Sequence, residues 1–149
     1  MIRITNFTNS KQYPADAIYA IVRSYKQPIP GVKQLAVLSP QSDLFRTYLT
    51  LRDHGQWNRT AFNNIYAPQF IADLLAHRPA LDCLNDLYNR SKRGENITLC
   101  CYCGDEDLCH RSIIAGLLQG VGAEVITQRN ADYSMYWTKF QEFKKQFRL

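Results

Sequence analysis

The sequence predicts an α/β protein, a three-layer sandwich in which helices flank a mainly parallel β-sheet. Three observations carry this reading. Short apolar runs of strand character recur at residues 1–6, 17–22, 33–38, 97–102 and 123–127. Segments with apolar residues at helical spacing fill most of the chain between and after them. The unit at 97–127 reads strand, loop, helix, Gly-x-Gly, strand, and a helix between two such strands is the crossover that a parallel sheet requires.

Residues 1–6 alternate apolar and polar side chains, and Asn9-Ser10 marks a turn. Residues 17–22 (AIYAIV) form a second strand ending at Arg23. Pro28, Pro30 and Gly31 make 25–31 a loop, and a short third strand follows at 33–38. Ser39-Pro40 is a helix-start signal, a capping hydroxyl with proline behind it. Leu44, Phe45, Tyr48, Leu49 and Leu51 then recur at helical spacing until His54-Gly55. Asn58 caps the next helix, with Phe62, Ile65 and Tyr66 inward. Pro68 predicts a break or kink, after which Phe70, Ile71, Leu74 and Leu75 continue the pattern. Pro79 opens another helix through Leu81, Leu84, Leu87 and Tyr88, and Gly94 ends it. Gly120 and Gly122 close the helix that opens near 109–112. The last helix spans 136–147, with Trp137, Phe140, Phe143 and Phe147 on one face.

At 149 residues the chain is read as one domain, long enough to bury a core. No apolar run approaches the ~18–20 residues of a membrane span, so no membrane partner is expected. The first ten residues lack the basic-then-apolar pattern of a secretion signal, which makes a cytoplasmic location the expectation. Oligomeric state is not legible. The formal charge of +5 is mild, with small basic groups at 90–93 and 144–148. A solvated surface is one reading of these groups and a nucleic-acid-binding face is another.

Four of the five cysteines, Cys100, Cys101, Cys103 and Cys109, fall within ten residues. In a reducing compartment such a cluster reads as thiols, metal ligands or a reactive site. Cys109 is placed at a helix N-terminus, where backbone N–H groups and the dipole favour an anion by about 0.3–1 kcal/mol. That position favours a thiolate there, or equally a bound phosphate. Arg111 is a candidate for bidentate anion binding, or else for pairing with Asp105 or Asp107. His110 has the intrinsic pKa of a proton-transfer group. Ser112 is a first-turn hydrogen-bonding residue, and Asp105 is a second proton-transfer candidate. Glu106 is read as part of a solvated turn.

Spacing tests three cysteine chemistries. A Cys-x5-Arg loop is absent, because Asp105 stands six residues before Arg111. Cys100 and Cys103 form a Cys-x-x-Cys pair, but at a strand end rather than a helix start. Zinc is conceivable on Cys101, Cys103, Cys109 and His110, although ligation by adjacent Cys and His is awkward. The preferred assignment therefore includes no metal and no cofactor. Cys100 and Cys101 point to opposite faces of a strand, so one of them belongs to the core. Cys83, beside Leu84 and Leu87 on a helix, is also read as core.

The stretch 99–111, LCCYCGDEDLCHR, resembles the signature of a bacterial and phage family known as domain of unknown function 488. The family's first cysteine falls on Cys101, its aspartate on Asp105, and its Cys-His-Arg on Cys109, His110 and Arg111. The following SIIAGLLQGVGAEV is similar to the family's next helix and strand. Ala20-Ile21-Val22-Arg23, Leu38-Ser39-Pro40 and the helix near 57–70 resemble a shorter subgroup common in phage and prophage proteins. Cys103-Gly104 stands where the family often carries Glu-Lys. The resemblance implies an α/β fold with a site at the Cys-His-Arg loop, and no assigned substrate.

Together these readings predict a site for a small anionic, nucleotide-like ligand at the carboxyl edge of the sheet. The site is expected to combine Arg23, Arg111 and Ser112 as ligand contacts with Cys109, Cys101, His110 and Asp105 as reacting groups, of a cysteine-dependent hydrolase or transferase. Tyr25, Tyr48, Trp57 and Tyr66 are the aromatics available to stack on a base. The alternatives are a non-catalytic module binding nucleic acid or protein, and a zinc-stabilised domain.

Overall fold

The computed structural model of the chain describes residues 1–146. Five strands form one sheet: β1 (Ile2–Asn6), β2 (Ala17–Ala20), β3 (Val32–Gln34), β4 (Ile97–Cys101) and β5 (Val125–Thr127). Their order is β3-β2-β4-β1-β5, and every pairing is parallel. Helices α1 (Ser42–Asp53), α2 (Arg59–Ala61), α3 (Ala67–Leu75), α4 (Arg78–Lys92), α5 (His110–Gly120) and α6 (Met135–Gln146) complete a three-layer α/β sandwich. β4 is buried at all five residues, as expected of a central parallel strand covered on both faces.

β2, β3 and the start of α1 differ from the sequence reading, and β5 begins two residues later than expected, at Val125. β2 stops at Ala20. Ile21 still donates its N–H to the Cys100 carbonyl (2.9 Å), but Val22 and Arg23 turn away. Their carbonyls accept from the Gln34 side-chain amide, at 3.0 and 2.9 Å. β3 is Val32–Gln34 alone, because Ala36–Leu38 closes into a 3-10 turn. The Ser39 hydroxyl bonds back to the Ala36 carbonyl of that turn, so Ser39 does not cap α1. That helix begins at Ser42, after Gln41.

Asn58 caps α2 as the sequence predicts, its Oδ1 accepting the Ala61 N–H at 2.9 Å. Pro68 does not break the helix. The chain passes through a π-helical turn at Phe62–Tyr66 directly into α3, and Ala67 donates to the Phe62 carbonyl five residues back. Proline lacks an N–H and crowds the carbonyl four residues before it. The wider turn relieves that conflict without ending the helix. In α6, Tyr136 and Phe140 are buried and Trp137 and Phe143 pack partly against the core, while Phe147 lies outside the described residues.

α5 ends at Gly120, and Gly122 follows at φ +96°. α6 and the segment leading into it press onto α5 at two glycines one turn apart. A Cβ on Gly116 would lie 2.0 Å from the Tyr133 carbonyl oxygen, and one on Gly120 would lie 2.2 Å from the Trp137 Cβ. Alanine would add about 1 kcal/mol of helix propensity, but backbone cannot yield to it at Gly116. Overpacking of this kind costs about 1–3 kcal/mol and at times more. Gly116→Ala is therefore expected to lower stability by about 2 kcal/mol net or more, measured as a lower urea midpoint. Gly94→Ala, which meets open space but sits at φ +94°, tests strain alone and is expected to cost less.

Candidate functional site

The sheet order dictates where a cleft can open. From β2 the chain leaves towards β3 on one side, and from β4 it leaves towards β5 on the other. Neighbouring strands whose connections depart in opposite directions leave a crevice at their carboxyl ends. A cavity of about 450 Å³ lies there, lined by Val22, Arg23 and Ser24 after β2 and by Cys101–Gly104 and Leu108–His110 after β4. The sequence expectation of a site at this edge, combining Arg23 with the cysteine loop, corresponds to this cavity.

The floor is a thiol–imidazole cluster. Cys101 ends β4, Cys103 lies in the loop beyond it, Cys109 is the residue before α5, and His110 is the first residue of α5. One ligand atom from each lies within 4.8 Å of the other three. The Cys101 and Cys109 sulfurs are 3.1 Å apart, and the Cys109 sulfur is 3.6 Å from His110 Nδ1. Cys109 has extended backbone (φ −128°, ψ 145°) before the first helical residue. That change of direction lets two adjacent side chains converge on one point. His110 Nε2 lies 2.7 Å from the Ile21 carbonyl oxygen. A carbonyl only accepts, so Nε2 carries the proton and Nδ1 offers its lone pair to the sulfurs. Phe70 packs against the imidazole, with ring centroids 5.6 Å apart, and burial pushes the His110 pKa down.

Arg111 is wholly buried and does not line the cleft. Its Nη2 donates to Gln128 Oε1 at 2.9 Å and its Nη1 points to the Cys101 sulfur at 3.8 Å. Its Nε has no partner among the described residues. Guanidinium does not shed its proton in a protein, so it favours a negative neighbour. Hydrogen bonds from the Cys103 and Cys109 thiols, with Arg111 close by, hold the Cys101 thiol well below its ordinary pKa. Cys109 shifts the other way, because complete burial penalises its charged form. The helix end alone favours a thiolate, or equally a phosphate, at Cys109, and the sequence names Cys101 beside it as a candidate nucleophile. The helix-end effect reaches at most about 2 kcal/mol, whereas burying a charge costs several. Cys103 is pushed up to about 12 by its hydrogen bond to Cys101, and Cys100 to about 12 by burial. Cys100 is a core residue whose thiol bonds to the Tyr19 carbonyl on the neighbouring strand.

The wall is aromatic and comes from α1, the loop after it and the π turn. Tyr48, Trp57 and Tyr66 meet edge to face, with centroids 4.7 Å apart for Tyr48–Trp57 and 5.4 Å for Trp57–Tyr66. All three line the cavity with Phe45 and Tyr102. Tyr25 lies outside it, where its hydroxyl binds the Ile29 amide and the Val32 carbonyl. Two exposed arginines reach the rim. Arg23 is steered by its Nε bond to the Pro40 carbonyl (3.0 Å). Arg52 sits one turn beyond Tyr48 on α1, its guanidinium 5.8 Å from that ring. The sequence reading missed Arg52, although its i+4 spacing from Tyr48 was the available signal.

The remaining predicted residues stand off the cleft. The Ser112 hydroxyl donates to the Cys109 carbonyl at 2.8 Å and is fully buried. Asp105 is exposed, and its Oδ1 accepts the Asp107 N–H (3.0 Å) to cap the Glu106–Leu108 turn. Glu106 is not solvated. It is buried, with its Oε1 accepting from the Gln128 N–H (2.9 Å) and its Oε2 from the Tyr133 hydroxyl (2.8 Å). Asp107 is paired by Arg59 and Arg129 rather than by Arg111. Lys144 and Lys145 are exposed on α6, and Arg148 of the same basic group lies outside the described residues.

The parallel sheet and its crevice define an α/β domain with a candidate site at a topological switch point. The chain belongs to the DUF488 family: the family model described as "Active DUF488-N3 subclade" matches residues 2–122. The matched span takes in β1 to β4, the whole floor and the aromatic wall. No curated protein and no solved structure was found to match the chain. No helix among the described residues is long and apolar enough to cross a membrane.

The acidic turn carries a pH signature. The Tyr133 hydroxyl, aided by Arg59 and Arg129, holds Asp107 below the ordinary carboxylate range. A carboxyl depressed in the folded state adds stability above its unfolded pKa of about 3.9 and loses it as pH falls through the folded value. Asp107→Asn is expected to cost about 1.5–3 kcal/mol at pH 7, the scale of hydrogen bonds to a charged group. The gap to wild type should close as pH falls below about 4, read from urea melts at stepped pH. A gap that stays constant with pH would assign the loss to packing instead.

Proposed function

We propose that this protein binds a small anionic, nucleotide-like molecule in the cleft, with the thiol–imidazole floor as the reacting surface of an enzyme. The observation that carries the reading is the lining of one cavity: a wall of aromatic rings, two exposed guanidinium groups at its rim, and a floor of thiols and an imidazole. A flat ring system stacks on aromatic side chains regardless of its hydrogen-bonding pattern, at about 1–3 kcal/mol per base. Trp57 and Tyr48 supply that surface. An anionic group pairs with guanidinium in preference to ammonium because the planar donors match it, and Arg23 and Arg52 supply that contact. The cavity volume lies within the usual ~300–1,000 Å³ of small-molecule sites.

Roles within this reading follow the placements above. Cys101, Cys109 and His110 are the groups a bound ligand meets at the floor. Arg111 sits behind them with its Nη1 3.8 Å from the Cys101 sulfur, and Ser112 fixes the start of α5. Asp105 shapes the loop from outside the cleft. In solution Asp105 would serve as a proton-transfer group only through movement of the 103–108 turn, so the floor residues take precedence as reacting groups.

Calorimetric titration with a panel of nucleoside monophosphates and diphosphates tests the reading. Saturable binding is expected, weakened about 5- to 150-fold by Trp57→Ala, the range that ~1–3 kcal/mol of stacking implies. Arg23→Ala should weaken binding less and flatten its salt dependence, since one exposed charge is removed. Binding that ignores both substitutions, or no saturation by any nucleotide at millimolar concentration, would overturn the assignment.

A further inference from the structure

We infer that Cys101, Cys103, Cys109 and His110 together bind one zinc ion at the floor of the cleft. The inference rests on the four donors and the buried Arg111 and is independent of the aromatic wall; with zinc bound, the floor presents metal-held thiolates to an incoming molecule rather than free thiols.

The donor set and its spacing come first. Three sulfurs and one imidazole nitrogen form a Cys3His set, one of the common four-coordinate zinc sets. Zinc bonds of about 2.3 Å to sulfur and 2.0–2.1 Å to nitrogen place tetrahedral donors about 3.5–3.8 Å apart. Here all four donors lie within 4.8 Å of one another, with Cys101–Cys109 at 3.1 Å and Cys109–His110 Nδ1 at 3.6 Å. These separations bracket the tetrahedral edge, so small side-chain rotations bring the donors to it.

The imidazole is also already oriented as a ligand. Its Nε2–H is spent on the Ile21 carbonyl at 2.7 Å, and its Nδ1 lone pair faces the sulfurs. A metal-bound histidine is held in this way, its second ring nitrogen donating to a carbonyl or carboxylate. The adjacency of Cys109 and His110, awkward in sequence, is resolved by the turn from extended to helical backbone between them.

Charge gives a third, separate argument. Three thiolates around a divalent ion leave one negative charge in a buried place. Arg111 supplies one positive charge there, fully buried, with Nη1 3.8 Å from the Cys101 sulfur and Nε unpartnered. The pair balances, and thiolate sulfur is a ready acceptor for such a donor. Cys103 is the half-buried member of the set and lines the cleft, so it is the ligand nearest to an incoming molecule.

The test is metal analysis and cobalt substitution on the full chain, purified under reducing conditions without chelator. One zinc per chain is expected. Replacement by Co²⁺ should give the intense visible bands of a tetrahedral site and the near-ultraviolet charge-transfer absorption of cobalt thiolate. Cys103→Ser, on the cleft side, should reduce the charge-transfer absorption and lower zinc affinity more than about 100-fold, beyond the loss typical of an outer partner. Cys83→Ser, remote on α4, should change neither. In native protein with zinc present, Cys83 should be the most reactive thiol towards a disulfide reagent, the three ligands reacting only after chelation. Substoichiometric metal, absent cobalt bands, or a wild-type cobalt spectrum in Cys103→Ser would overturn the assignment. Nucleotide titration of the same samples separates the two proposals: failure to bind nucleotide leaves zinc stoichiometry intact, and failure to bind zinc leaves the aromatic wall intact.

Discussion

A permanently charged guanidinium sits wholly inside this protein, and the structure around it answers that charge. Arg111 is the largest fully buried side chain of the described residues. Isolated burial of such an ion would cost many kcal/mol. Its position in the first turn of α5 brings it under the Cys101 sulfur, while Gln128 takes its other end. Gln128 in turn offers its backbone N–H to Glu106, whose second oxygen accepts from Tyr133. One chain of polar contacts thus joins the end of β4, the 3-10 turn, the exit of β5 and the approach to α6. Each member fixes another, and in a low-dielectric interior such a network is favourable only when nearly all of its groups are satisfied.

That network explains why the C-terminal segment matters to a site it does not line. Tyr133 binds the acidic turn through both Glu106 and Asp107, and its carbonyl packs against Gly116 of α5. The backbone around Tyr133 therefore sets the depth at which α5 lies. α5 carries His110 and Arg111 at its start, so its depth sets the floor. Buried area and polar contacts act together here: the glycines allow close approach, and the hydroxyl and carboxylates fix it.

The sequence showed the frame and the location better than the roles. The 97–127 unit was legible because a strand, a crossover helix and a second strand each have strong local signals. The resemblance around Cys-His-Arg points to the loop that floors the cavity, and the match over 2–122 places the chain in that family. Roles were hidden because they depend on depth. Arg111 and Glu106 look like surface residues in a polar loop, yet both are buried, and only tertiary packing decides that. Burial lifts the Cys109 pKa while hydrogen bonds lower that of Cys101, and the sequence could not show this: a helix end is visible in sequence, and complete burial is not. β2 and β3 came out shorter than predicted since the side chains of Gln34 and Ser39 bind nearby carbonyls, a competition that apolar pattern does not record. Arg52 was overlooked because it counts as an ordinary polar position until Tyr48 is known to face a cavity.

The cleft is composed of two parts with different freedom to change. Its floor is built on a strand end and a helix start, tied on both sides into the sheet, so altering a floor residue disturbs the fold. Its wall comes from α1, the loop after it and the π turn, and these sources differ in depth: Phe62 and Tyr66 of the π turn belong to the hydrophobic core, whereas Phe45 on α1 is exposed. Exposed connections tolerate change that packed elements do not. The outer part of the wall, on α1 and its following loop, is therefore the part of the cleft whose shape can vary at least cost to the fold.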